Sequence, residues 1–173
     1  MRWYWIDRYT KFVRGKCATA IKNITLSEEH LHDHFLYYPI MPAPLIVEGV
    51  AQAGGLLICE YREFREKVVL AKLNKAIFHF DVRPGDTLIY HVNVDFYNSQ
   101  GAQISATSHA NGKLHAEFQM MFAYVTGEYT EREFYKLSDY RHLLHNFDAY
   151  SIGTDEEGNP IEEPECLKNA THF

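Results

Sequence analysis

Residues 45–59 read Leu-Ile-Val-Glu-Gly-Val-Ala-Gln-Ala-Gly-Gly-Leu-Leu-Ile-Cys, and Glu48 is the only charge among them. Leu45, Ile46, Val47, Val50, Ala51, Ala53, Leu56, Leu57 and Ile58 leave almost no face for water, so a helix here is buried all round. Pro44 suits the first turn, where its missing N–H has no intrahelical partner. A bilayer span needs about 20 apolar residues. This run is shorter and carries Glu48 and Gln52, which predicts the central helix of a soluble domain and no membrane span. Gly49, Gly54 and Gly55 lower helix propensity and fit a helix that another backbone approaches closely.

Glu48 and Gln52 are four residues apart and share one helix face, which Gly55 and Cys59 continue. A carboxyl group in an apolar helix is desolvated, which raises its pKa and equips it as a general acid near neutral pH. The helix alone equally fits a Glu that hydrogen-bonds a neighbouring backbone or a second subunit. Fourteen residues upstream of Glu48 stands His34, the residue type that most readily exchanges a proton at neutral pH. Pro39, Pro42 and Pro44 stiffen the connection between them. At the helix start the amides of Ala43 and Leu45 are expected to be free, and such amides polarise a carbonyl oxygen. A base, a buried acid and a carbonyl-polarising helix end are what elimination of water from a 3-hydroxyacyl compound requires.

The segment H-F-x-x-x-P-x-M-P-x-x-L-I-x-E-x-x-A-Q, running from His34 to Gln52, resembles the FabZ-like 3-hydroxyacyl-[acyl-carrier-protein] dehydratases of the hotdog fold. Arg83-Pro-Gly-Asp86 resembles the family's P-G-D turn, and the resemblance covers about residues 5–125. It implies His34 and Glu48 as the catalytic pair, Ala43 as the backbone donor to the thioester carbonyl and Gln52 in support. It implies no cofactor and no metal, since elimination needs only proton transfers. It also implies an acyl carrier protein as partner and a homodimer, or a trimer of such dimers, in which His34 faces Glu48 of the partner. Tyr37, Tyr38, Met41, Phe78 and Phe80 are its candidates for lining the acyl tunnel. Close relatives that also isomerise the double bond carry Asp where this chain has Glu48, so simple dehydration is implied. Two departures stand out: Pro42-Ala43-Pro44 replaces the usual Pro-Gly-Val, and Leu36 follows His34-Phe35 where the family has Pro. They leave open a thioesterase in which Glu48 activates water, or a non-catalytic acyl or carrier-protein binding module.

The rest of the chain fits an α+β fold, a curved antiparallel sheet around one long helix. Residues 3–13 and 16–24 form a predicted hairpin, and Ser27 is a candidate cap for one helical turn. Strand patterns cover 67–82, 86–97, 102–110 and 113–125, the last two joined by Asn111-Gly112, a strong hairpin signal. Together, residues 1–126 form the predicted hotdog domain. In the extension, residues 127–173, a capping-box pattern at Thr130–Glu133 opens a helix predicted to about residue 147. An acidic, Gly- and Pro-containing mobile tail follows from 153 to 165.

The 173 residues carry a net charge of −6, which argues against nucleic acid as a bulk partner. The basic cluster Arg62, Arg65, Lys67, Lys72 and Lys75 fits either a carrier-protein patch or a solvated face. Cys17, Cys59 and Cys166 lack metal-type spacing and suit a reducing, cytoplasmic setting, as does the absence of a charged-then-apolar leader. His30-Leu-His32-Asp33-His34 presents metal-ligand residue types, but there is no second cluster to complete a site.

Overall fold

The computed structural model describes residues 3–125 and 136–170. β1 (Arg8–Val13) and β2 (Cys17–Asn23) form the expected hairpin, with Val13 opposite Cys17. Residues 3–7 are not strand; they cross the helix instead, for a reason that emerges at Gln52. A single turn, α1 (His30–Asp33), follows without any side-chain cap bond, so Ser27 does not cap it. The Glu28 carboxylate takes over the local bonding, accepting from Lys22 Nζ at 2.6 Å and from the Thr25 amide at 3.1 Å.

The central helix α2 spans Ala43–Tyr61, two residues beyond the expected end. At 19 residues it is long and apolar enough to cross a bilayer by length and composition alone. The sheet accounts for that apolarity. β3 (Val68–Phe78), β4 (Thr87–Tyr97), β5 (Gly101–Ala110) and β6 (Lys113–Tyr124) join the first hairpin in one antiparallel sheet of order β1-β2-β4-β5-β6-β3. Period-two alternation sends Leu88, Tyr90, Val92, Ile104, Met120 and Phe122 to the same core as Ile46, Val50, Ala53, Leu57 and Ile58 of α2. Asn111 and Gly112 both adopt positive φ, as a two-residue hairpin between β5 and β6 demands. Gly49 meets the close backbone approach its sequence context suggests: a Cβ there would lie 2.6 Å from the Trp5 carbonyl oxygen.

The two sheet edges are treated differently. Beside β1, Thr154 donates from its amide to Phe12 O at 2.9 Å and accepts from the Arg14 amide at 2.9 Å. The other edge, β3, is uncovered, with Val69, Leu70, Leu73 and Ile77 exposed among the described residues.

The cover on β1 comes from the C-terminal extension. Among the described residues its elements are α3 (Leu137–Asn146), α4 (Ala149–Ile152) and α5 (Glu165–Lys168). The capping-box pattern at residues 130–133 lies outside the described residues. The segment expected as a mobile tail, 153–165, is docked: Ile161 is buried in the main core. The Glu162 carbonyl accepts from Arg14 at 2.8 Å, and Arg141 pairs with Glu163. Acidic composition did not prevent docking because Glu156 and Glu163 meet cations placed by other elements, Lys16 and Arg141.

Candidate active site

The loop after α1 carries His34, half-buried, with its ring stacked on Phe35 at 4.6 Å between centroids. The His34 carbonyl accepts from the Ile40 amide at 3.0 Å, and the Met41 amide donates to Val82 O at 2.9 Å, which ties the loop to the start of α2. Phe35, Leu36, Tyr37 and Tyr38 project outward, Tyr37 at 94% exposure, and the Arg83 guanidinium lies 3.5 Å from the Tyr38 ring centroid. Of the expected tunnel residues, Met41 is buried beside His30, while Phe78 and Phe80 pack on His115.

At the helix start, the Leu45 amide is not free as expected, because it donates to Pro42 O at 3.0 Å in a tight first turn. Pro44 has no N–H. Ala43 is therefore the residue of the first turn whose amide has no partner among the described residues, and Ala43 is exposed.

Glu48 corrects the expectation of burial. It is exposed in the single chain and pairs with no cation among the described residues; its carboxylate accepts from Gln52 Nε2 at 3.0 Å. Gln52 explains residues 3–7. Its side-chain oxygen accepts from the Trp5 amide and its nitrogen donates to the Trp3 carbonyl, both at 2.9 Å. One amide side chain thus docks the N-terminal segment across α2 and fixes one oxygen of Glu48. From Glu48 a shallow groove runs beside α2, with Gln52, Gly55 and Cys59 along one wall and Val69 and Leu70 of β3 along the other. No hydrogen bond or ion pair joins His34 to Glu48 within the chain, among the described residues.

The buried carboxylate of α2 is a different one. Glu60 is fully buried, and Arg14 Nε donates to both of its oxygens at 3.0 Å while Nη2 adds a further short contact. Burial raises the Glu60 pKa and Arg14 pulls it back. The basic cluster after α2 is largely neutralised: Arg62 pairs with Glu66, Arg65 with Glu63 and Lys75 with Glu117. His30 sits beside Trp5 with its pKa lowered by burial, and His32 bonds the Leu26 carbonyl.

A FabA-like domain model matches residues 4–123. The 3-hydroxyacyl-[acyl-carrier-protein] dehydratase FabZ of Koribacter versatilis (strain Ellin345) is 40% identical over 114 residues, 65% of this chain and 73% of that protein. The enzyme of the same name from Clostridioides difficile (strain 630) is 36% identical over 121 residues, 69% of this chain and 85% of that one. Among solved structures, a Streptococcus mutans protein bound to acetyl CoA superposes with a TM-score of 0.59 at 13% identity, covering 72% of this chain and 93% of that one. The dehydratase heterocomplex ApeI:P from Xenorhabdus doucetiae gives 0.51 at 14%, covering 62% and 88%. At such identities these structures show the hotdog fold alone, and α3 to α5 lie beyond the matched domain. Because the match takes in the His34 loop, α2 and nearly the whole sheet, this chain belongs to the FabA-like family.

Proposed function

We propose that this protein dehydrates 3-hydroxyacyl thioesters carried on acyl carrier protein to trans-2-enoyl thioesters, as a hydro-lyase of fatty acid or related acyl-chain synthesis. The observation that carries this reading is Glu48: a carboxylate on the open face of the core helix, held by Gln52, unpaired by any cation among the described residues and set in the family's motif. His34 takes the α-proton. Glu48 delivers a proton to the departing 3-hydroxyl, and the Ala43 amide donates to the thioester oxygen as enolate character builds. The α C–H and C3–O bonds break, the 2,3 double bond forms, and water leaves.

The catalytic pair is shared between two chains of a homodimer. Three features support this: His34 and Glu48 share no bond within one chain, Glu48 is exposed, and β3 presents an uncovered apolar edge. Pairing β3 with its symmetry mate covers that edge. A partner's His34 loop seated on Glu48 also shields the reacting groups from water. The cysteines are all unpaired, which suits a cytoplasmic setting.

The test follows enoyl product and free thiol in parallel, from 3-hydroxyacyl thioesters on carrier protein and on coenzyme A, for the wild type, His34→Ala and Glu48→Gln. Enoyl product that both substitutions abolish is the expected result. Free thiol that depends on Glu48 would replace this reading with thioester hydrolysis.

A further inference from the structure

The groove that starts at Glu48 ends on a residue from outside the family domain. Tyr140, in the first turn of α3, lines the same groove as Glu48, Gln52, Gly55 and Cys59. It stands with Cys59 at the far end, and its ring packs on Phe64 at 5.2 Å between centroids. Cys59 lies eleven residues past Glu48 on α2, which is about 16 Å along the helix axis. Between the two, the floor is apolar and built of Leu56, Val68 and Phe122, while Gly55 leaves the wall without a side chain.

We propose that Tyr140 is a specificity-determining residue: the C-terminal extension closes the acyl groove at the Cys59 end and sets the longest acyl chain the enzyme accepts. This rests on the dehydratase reading, which places the thioester carbon chain beside Glu48. The occupant is the alkyl tail of the substrate, because the groove is continuous with the carboxylate that handles its 3-hydroxyl and offers apolar walls beyond it. A chain that ends short of Tyr140 gains apolar contact with each added methylene. A longer one meets a ring braced on Phe64, within an extension held to the body through Leu144, Phe147 and Leu167.

The experiment compares kcat/KM on 3-hydroxyacyl thioesters from four to sixteen carbons for the full-length wild type, Tyr140→Ala and Tyr140→Phe, with melting temperatures to register folding. The wild type is expected to show a length cut-off. Tyr140→Ala moves it to longer chains, with a gain of about tenfold or more on the first substrates beyond the wild-type limit, and leaves the shortest substrates unchanged. Tyr140→Phe keeps the ring and so keeps the cut-off within one two-carbon step. Gly55→Leu supplies the opposite shift, to shorter chains, by filling the wall nearer Glu48. Binding of acyl-coenzyme A thioethers of the same lengths is measured alongside. If no substrate yields enoyl product the dehydration reading falls, while a length preference in binding that moves with Tyr140→Ala still supports the cap. Equal effects of Tyr140→Ala at every length, or none at any, in both assays overturn it.

Discussion

Glu48 and Glu60 lie twelve residues apart on the same helix, and the fold gives them opposite surroundings. Glu48 stands on the open face, with an amide side chain as its partner. Glu60 is sealed in the core against an arginine from the loop after β1. A buried carboxylate that meets a guanidinium is spent on structure, because its charge is already answered. An open carboxylate held in one position without a counter-charge is free to exchange a proton once something covers it. On the proposed dehydratase reading, burial within one chain is therefore the wrong criterion for finding the acid.

The largest expected difference is in activity. Glu48→Gln lowers enoyl formation by about 10²- to 10⁴-fold, the range for a lost general acid, and leaves the thermal melt close to wild type, since the exposed carboxylate supports no core contact. Product formation and melting temperature measured on one preparation check both halves.

Arg14→Met is expected to do the reverse, at a cost of about 3 kcal/mol at neutral pH, because it leaves Glu60 charged, buried and unpaired. Its pH dependence has a definite sign. Burial makes the folded chain hold the Glu60 proton more tightly than the unfolded chain, so this group's contribution to stability falls as pH rises from the ordinary carboxylate pKa, about 4.3, through the raised folded value. Arg14 offsets that loss by pulling the folded pKa down. Denaturant unfolding across pH should therefore show a small deficit for Arg14→Met in acid, where Glu60 is protonated, and the full deficit above its raised pKa. A deficit that shrinks as pH rises would mean that the pair is not what holds this corner together.

Gln52→Ala sharpens the contrast from the other side. It strips a partner from the Trp5 amide and the Trp3 carbonyl, so a loss of about 1–2 kcal/mol is expected, together with a fall in kcat as Glu48 loses its tether. A third carboxylate near the helix end, Glu63, is paired with Arg65 in the open. Arg65→Ala should change stability by less than about 0.5 kcal/mol, which separates a pair that matters because it is buried from one that is merely close.

Much of this architecture is legible in the sequence because it is periodic. Alternation in residues 86–97 and 113–125, the Asn111-Gly112 turn and the apolar run around Glu48 are local signals, and the strands and helix fall where those signals lie. The proposed proton-exchanging residues, His34 and Glu48, are legible as a motif, and Gln52 as the helical neighbour of Glu48. What escapes is long-range. Nothing near Glu60 announces that Arg14, 46 residues away, will meet it. Composition describes residues 153–165 as acidic and loose, whereas Arg14 and Arg141 supply the cations that dock them. The apolar run around Glu48 signals helix core, but helix faces differ, and the one that carries Glu48 is open in the single chain.

The central claim is that one chain's His34 works with another's Glu48, and mixing tests it most directly. His34→Ala and Glu48→Gln proteins, each inactive alone, are combined in equal amounts under conditions that let subunits exchange, and enoyl formation is followed. Each mixed dimer then holds one site with both residues intact and one with neither. Random exchange predicts recovery to about a quarter of wild-type activity, as expected for two equivalent sites related by two-fold symmetry. No recovery, with exchange verified by mass, would show that His34 and Glu48 act within the same chain and would contradict the shared site.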